Sequence, residues 1–81
     1  MASELQDNLT AFIVETTGMS DDEFDADTPL YSEGYIDSFA LTTIISYLEE
    51  QAGRGIPGDD VTLENFDTVE KMVAYMGRMA S

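Results

Sequence analysis

Apolar residues recur along this chain at intervals of three and four, the spacing of one face of an α-helix. Leu5, Leu9, Phe12 and Ile13, with Thr16 on the same side, predict a first helix over roughly residues 3–17, and Gly18 is a natural stop. A long acidic stretch follows, "SDDEFDADTPLYSEGY", broken by Pro29 and Gly34. Within it Ser20 and Glu23 stand at capping-box spacing, which predicts one short helical turn. Leu41, Ile44, Ile45, Leu48 and Ala52 then share one sector of a second helix, over about residues 38–52. "GRGIPGDD" ends it, and "TLENF" is long enough only for a brief third helix capped by Thr62. A fourth helix starts near Thr68 and lines up Val69, Met72, Val73, Met76 and Met79. Methionines in such a stripe serve better as core filler than as a binding groove, because Met packs irregular small cores. No stretch alternates as a strand does, and there is no internal repeat. The pattern predicts an all-α domain over residues 1–81: a small bundle of three long helices and one short one, with a long loop between the first two.

Composition changes the picture mainly by exclusion. A chain of 81 residues buries only about 60–65% of its unfolded surface. It has no cysteine, so no disulfide, thiolate metal site or redox chemistry of its own. The N-terminal "MASELQDNLTAF" lacks a basic segment followed by an apolar one, and no apolar run is long enough for a bilayer. A cytoplasmic protein is expected. Seventeen acids against Arg54, Lys71 and Arg78 give a net charge of −14. Such a surface repels nucleic-acid backbones and anionic lipid, and attracts proteins with basic patches.

The chemistry converges on "GYIDSFAL", residues 34–41. With Asp37 as the N-cap of the second helix, Ile36 and Leu41 fall at the two ends of a hydrophobic staple. Capping by Ser38 would lose that staple. Ser38 is therefore placed at the first helical position, with its hydroxyl free. Phe39 lies nearly opposite the apolar sector, with Thr43, Ser46 and Glu50, either as a contact residue or packed on the acidic loop. A triad is impossible without histidine, and the lone Lys71 on an amphipathic helix makes a poor dyad partner. A serine at a helix N-terminus is poor as a catalyst and good as a place to carry an anionic group.

At this point the sequence resembles the acyl carrier proteins and their peptidyl and aminoacyl relatives. The resemblance rests on "DTPLYSEGYIDS", "GYIDSFAL" and "YLEEQAGRGIPGDDVTLENFDTVEKMVAYM". Asp-Ser alone is a weak motif. Asp-Ser followed by Ile-Pro and "NFDTV" at this spacing is a strong one.

The resemblance implies a non-catalytic carrier with a 4′-phosphopantetheine arm, taken from coenzyme A, on Ser38. The arm's thiol would hold acyl or aminoacyl groups as thioesters, and Asp37 would also help hold magnesium while the transferase acts. The implied partners are a phosphopantetheinyl transferase, an acyl- or aminoacyl-loading ligase and downstream synthase enzymes, visiting a monomer. Fatty-acid carriers typically show several acids along the second helix, whereas the face here reads Phe39, Thr42, Thr43, Ser46 and Tyr47, with acids only at Glu49 and Glu50. The expectation is a free-standing carrier of a specialised polyketide- or nonribosomal-peptide-like pathway, or of a fatty-acid-type one, with Phe39, Thr42, Thr43, Ser46, Tyr47 and Glu50 meeting partners.

The acid-rich loop fits neither register of a calcium-binding loop, since Ala26 replaces the turn glycine in one and Phe24 and Ala26 take ligand positions in the other. An acidic protein-binding module without a prosthetic group, resembling a nucleic-acid mimic, is the alternative. It would keep its affinity after Ser38→Ala.

Overall fold

A computed structural model describes residues 2–80. Helices α1 (Ala2–Thr17), α2 (Ser38–Ala52), α3 (Leu63–Phe66) and α4 (Val69–Ala80) follow in order, with a 3₁₀ turn over Gly58–Asp60 ahead of α3. The all-α expectation of three long helices and one short one holds, as does the long gap between the first two. Helix α1 packs on α2 and α4, α2 also meets α4, and α3 sits against the start of α4. Among the described residues, no helix is long and apolar enough to cross a membrane.

The second helix owes little to intrinsic propensity, because "TTII" at residues 42–45 is a β-branched run. Its two ends and its buried face compensate. At the front the Asp37 carboxylate accepts the Ala40 N–H at 2.9 Å. At the back Gly53 is left-handed (φ 72°), and its N–H and that of Arg54 both reach the Glu49 carbonyl. Ile44 and Leu48 are fully buried. Each such side chain stabilises by about 1.5–3 kcal/mol relative to exposure.

The core is built by the loop as well as by the helices. Leu9 and Ile13 of α1, Ile44 and Leu48 of α2, Phe66 of α3, and Val69, Met72, Tyr75 and Met76 of α4 form one buried cluster. Phe24, Leu30 and Ile36, all from the acidic stretch before α2, are buried among them. Met72 and Met76 are core residues, as the stripe predicts.

Two local expectations need correction. No helical turn forms at Ser20–Glu23. The Glu23 carboxylate does take the Ser20 N–H at 3.1 Å, but the chain closes a single turn, Glu23 N–H to Ser20 C=O, and moves on. Thr62 does stand at the start of α3 in extended conformation, yet its hydroxyl caps nothing. The real side-chain cap lies one element later, where Thr68 Oγ1 accepts the Lys71 N–H at 3.0 Å.

Candidate functional site

Ser38 is the first residue of α2, is exposed, and is not needed for capping, since Asp37 performs that role. The Asp37 carbonyl accepts the Leu41 N–H at 2.9 Å and its side chain takes that of Ala40. The N–H groups of Ser38 and Phe39 find no acceptor among the described residues. An exposed hydroxyl thus stands beside two free donors at the positive end of a fifteen-residue helix, which suits an attached phosphodiester. Ile36 is buried and Leu41 half-buried against the same core, as the staple requires. No His or Cys exists to serve as a base, so the site offers a hydroxyl and a place for an anion, and leaves activation to a partner.

Around the serine, Phe39 is 81% exposed, so it does not pack on the acidic loop. Thr42, Ser46 and Glu50 are exposed and Thr43 is half-buried. Thr42 Oγ1 donates to the Ser38 carbonyl at 2.8 Å and Thr43 Oγ1 to the Phe39 carbonyl at 3.1 Å, so both hydroxyls are spent on the first turn. Tyr47 stands apart from this group. Its ring stacks on Phe12 of α1, centroids 4.2 Å apart and planes 12° from parallel, in the seam between the two helices. The Glu49 carboxylate accepts the Ile56 N–H at 2.7 Å and holds the loop behind α2.

The reading of individual residues gave Asp67 no role, and the structure brings it to the serine's approach loop. It is the one buried charged residue among the described residues, 9% exposed. Its Oδ1 accepts the N–H groups of Tyr31 (3.0 Å) and Ser32 (2.9 Å), its Oδ2 the Ser32 hydroxyl (2.7 Å), and its carbonyl the Leu30 N–H (2.7 Å). Burial alone pushes this carboxyl up. The Ser32 hydroxyl, the Ser32 and Tyr31 N–H groups and the Lys71 charge outweigh burial and hold it below the ordinary carboxylate value. A signal was present in the sequence: Asp67 interrupts a run, Phe66 to Val69, that is otherwise fit for burial.

At the far end of the bundle the Tyr75 hydroxyl donates to Asp60 Oδ2 at 2.6 Å, which pushes the phenol pKa up, and burial adds to this. Arg78 lies 5.6 Å over the Tyr75 ring and bonds Asn65 Oδ1 at 2.9 Å, while Asn65 in turn bonds the Asp60 carbonyl. This cluster staples the 3₁₀ turn and α3 to α4.

The fold and the exposed serine define a small helical scaffold that offers a hydroxyl at the N-terminus of its second helix. The family described as phosphopantetheine attachment site matches residues 7–76, and the chain belongs to that family. It is also 31% identical over 58 residues, 72% of this chain and 67% of the other, to a probable acyl carrier protein, PigG, of Serratia sp. (strain ATCC 39006). The protein is a carrier, not an enzyme, and its prosthetic group is 4′-phosphopantetheine.

Proposed function

We propose that Ser38 is the attachment residue and that the loaded protein shuttles acyl or aminoacyl thioesters between enzymes of a specialised biosynthetic pathway. The observation that carries this reading is the free Ser38 hydroxyl at the start of α2, beside two unpartnered N–H groups, with Asp37 already fixed as the cap. In the attachment step the Ser38 Oγ–phosphorus bond forms and the pyrophosphate P–O bond of coenzyme A breaks. 3′,5′-Adenosine diphosphate leaves, and the hydroxyl proton goes to a base on the transferase. Once attached, the arm supplies the thiol that the chain itself lacks. Helix α2 contributes its N–H groups and partial positive charge to the phosphodiester. Asp37 keeps the first turn closed and has a carboxylate oxygen besides the one that caps, available to magnesium in the transferase complex.

The partners are then a phosphopantetheinyl transferase, a loading ligase and downstream synthases, all meeting a monomer at the front of α2. Phe39, Thr42, Ser46 and Glu50 form an exposed strip there, with Thr43 beside it. Phe39 would supply the apolar contact and Glu50 the charge. Tyr47 belongs to this surface only through the edge that its stack on Phe12 leaves free. The strip carries a single acid, Glu50, and this sparse charge favours a specialised pathway over housekeeping fatty-acid synthesis. A cytoplasmic setting and a single domain over residues 1–81 complete the reading.

Intact mass after incubation with coenzyme A, magnesium and a broad-specificity transferase tests it. One added phosphopantetheinyl group in the wild type and none in Ser38→Ala is the expected result. A folded wild type that gains no mass would move the acidic protein-binding module to first place.

A further inference from the structure

The attachment serine follows a loop that hangs on Asp67. Three consecutive residues, Leu30, Tyr31 and Ser32, donate their N–H groups to this one residue, and the Ser32 hydroxyl adds a fourth bond. Leu30 passes the constraint forward, since its carbonyl accepts the N–H groups of Tyr35 (2.8 Å) and Ile36 (3.2 Å). Ile36 is thereby set into the core next to Asp37, the residue that caps α2. The bonds bridge elements far apart in sequence, and within the loop only turn bonds, such as Glu33 N–H to Pro29 C=O, could replace them.

We propose that Asp67 is a positioning residue for the attachment reaction: it holds residues 30–36 in the conformation from which Asp37 caps α2 and the transferase engages Ser38. Asp67 touches neither the serine nor the incoming group, and acts through the loop. This rests on the reading of Ser38 as the attachment residue. Without the carboxylate, the N–H groups of Tyr31 and Ser32 turn to water and the loop samples other conformations. The transferase then binds only the ordered fraction, and its apparent affinity falls by that fraction.

Two measurements on the full chain test this, with wild type, Asp67→Ala, Asp67→Asn and Ser32→Ala compared at a temperature where circular dichroism shows each folded. Amide hydrogen exchange should show Asp67→Ala losing protection at Leu30, Tyr31, Ser32, Tyr35 and Ile36, with α1 and the middle of α2 unchanged. Transferase kinetics with each apo-protein as substrate should show KM rising about tenfold in Asp67→Ala, as for a loop ordered in roughly a tenth of molecules, with kcat within about twofold. Asp67→Asn, which keeps the acceptor for both N–H groups, should recover most of the loss, and Ser32→Ala should raise KM by about two- to threefold.

A residue needed only for overall stability would leave KM unmoved below the melting temperature. Wild-type protection of the loop in Asp67→Ala overturns the proposal. So does an unchanged KM despite lost protection. If Asp67→Ala does not fold, Ser32→Ala carries both measurements, and wild-type values in it overturn the proposal equally. A wild type that accepts no phosphopantetheine sinks the carrier reading and the reaction half of this proposal together, and exchange alone then decides whether Asp67 holds the loop.

Discussion

The two connections that flank α2 are held differently next to the helix itself. The front one, residues 18–37, is long and acidic, and it is fastened by distant residues. Asp67 grips Leu30, Tyr31 and Ser32, the Glu70 N–H reaches the Ala26 carbonyl, and Phe24, Leu30 and Ile36 plunge into the core. The back one, residues 53–62, is fastened largely by its neighbours along its first part, and at its far end, where Asp60 takes the Tyr75 hydroxyl at 2.6 Å, by α4. Gly53 turns the chain, the Glu49 carboxylate catches Ile56, and the Asp60 N–H closes on the Pro57 carbonyl. Ile56 is its one buried side chain. The proposed attachment serine directly follows the connection gripped by Asp67, so its presentation is coupled to the start of α4.

The largest blow to this contrast should come from Leu30→Ala. Leu30 is fully buried and its truncation leaves a cavity, so urea unfolding should show a loss of about 2–5 kcal/mol. A loss under about 1 kcal/mol would mean that the front connection is not part of the core in any energetic sense.

Asp67→Asn should cost less, about 1–2 kcal/mol at neutral pH, because it keeps one acceptor and surrenders a charge-assisted bond. Its dependence on pH is the sharper test. The folded-state pKa of Asp67 lies below the ordinary carboxylate value of 3.8, so its ionisation contributes stability that is complete above about that pH and lost as pH falls through the lower folded value. The gap between wild type and Asp67→Asn should therefore be constant above about pH 5 and shrink in stronger acid. A gap that is the same at every pH would show that the charge is not what holds the loop.

Gly53→Ala addresses the other side. A Cβ there meets nothing within 4 Å, so only the left-handed backbone (φ 72°) resists it, at a cost of about 1 kcal/mol. Because Gly53 turns the chain through bonds to its own helix, exchange at Tyr31 and Ser32 should not change. Increased exchange there would erase the distinction between the two connections.

Smallest of all, Phe39→Ala should alter stability by less than about 0.5 kcal/mol, since the ring is 81% exposed. A larger loss in thermal unfolding would return Phe39 to the fold and remove it from the strip proposed to face partners.

Much of this was legible in the sequence because it is decided by residues close together along the chain. Helical period located α2 to the residue, and the choice of Asp37 over Ser38 as its cap followed from the staple spacing of Ile36 and Leu41. The serine's exposure follows from that choice. The turn at Ser20–Glu23 and the cap at Thr62 were misjudged for a related reason. Capping residues mark where a helix can start, and the length of chain left before the next core residue decides whether one does. Phe24 is drawn into the core directly after Glu23, which leaves no room for a helical turn.

The sequence by itself determined the helices, the place of Ser38 at the first helical position and the absence of histidine and cysteine, because period, caps and composition are local or global properties that need no partner. Only the tertiary structure decided that Asp67 is buried and grips Ser32, that Tyr47 stacks on Phe12, and that Phe39 is left bare. Each depends on two segments meeting across the bundle. Hydrophobic burial sets that geometry for the molecule as a whole, and no short stretch of residues encodes it.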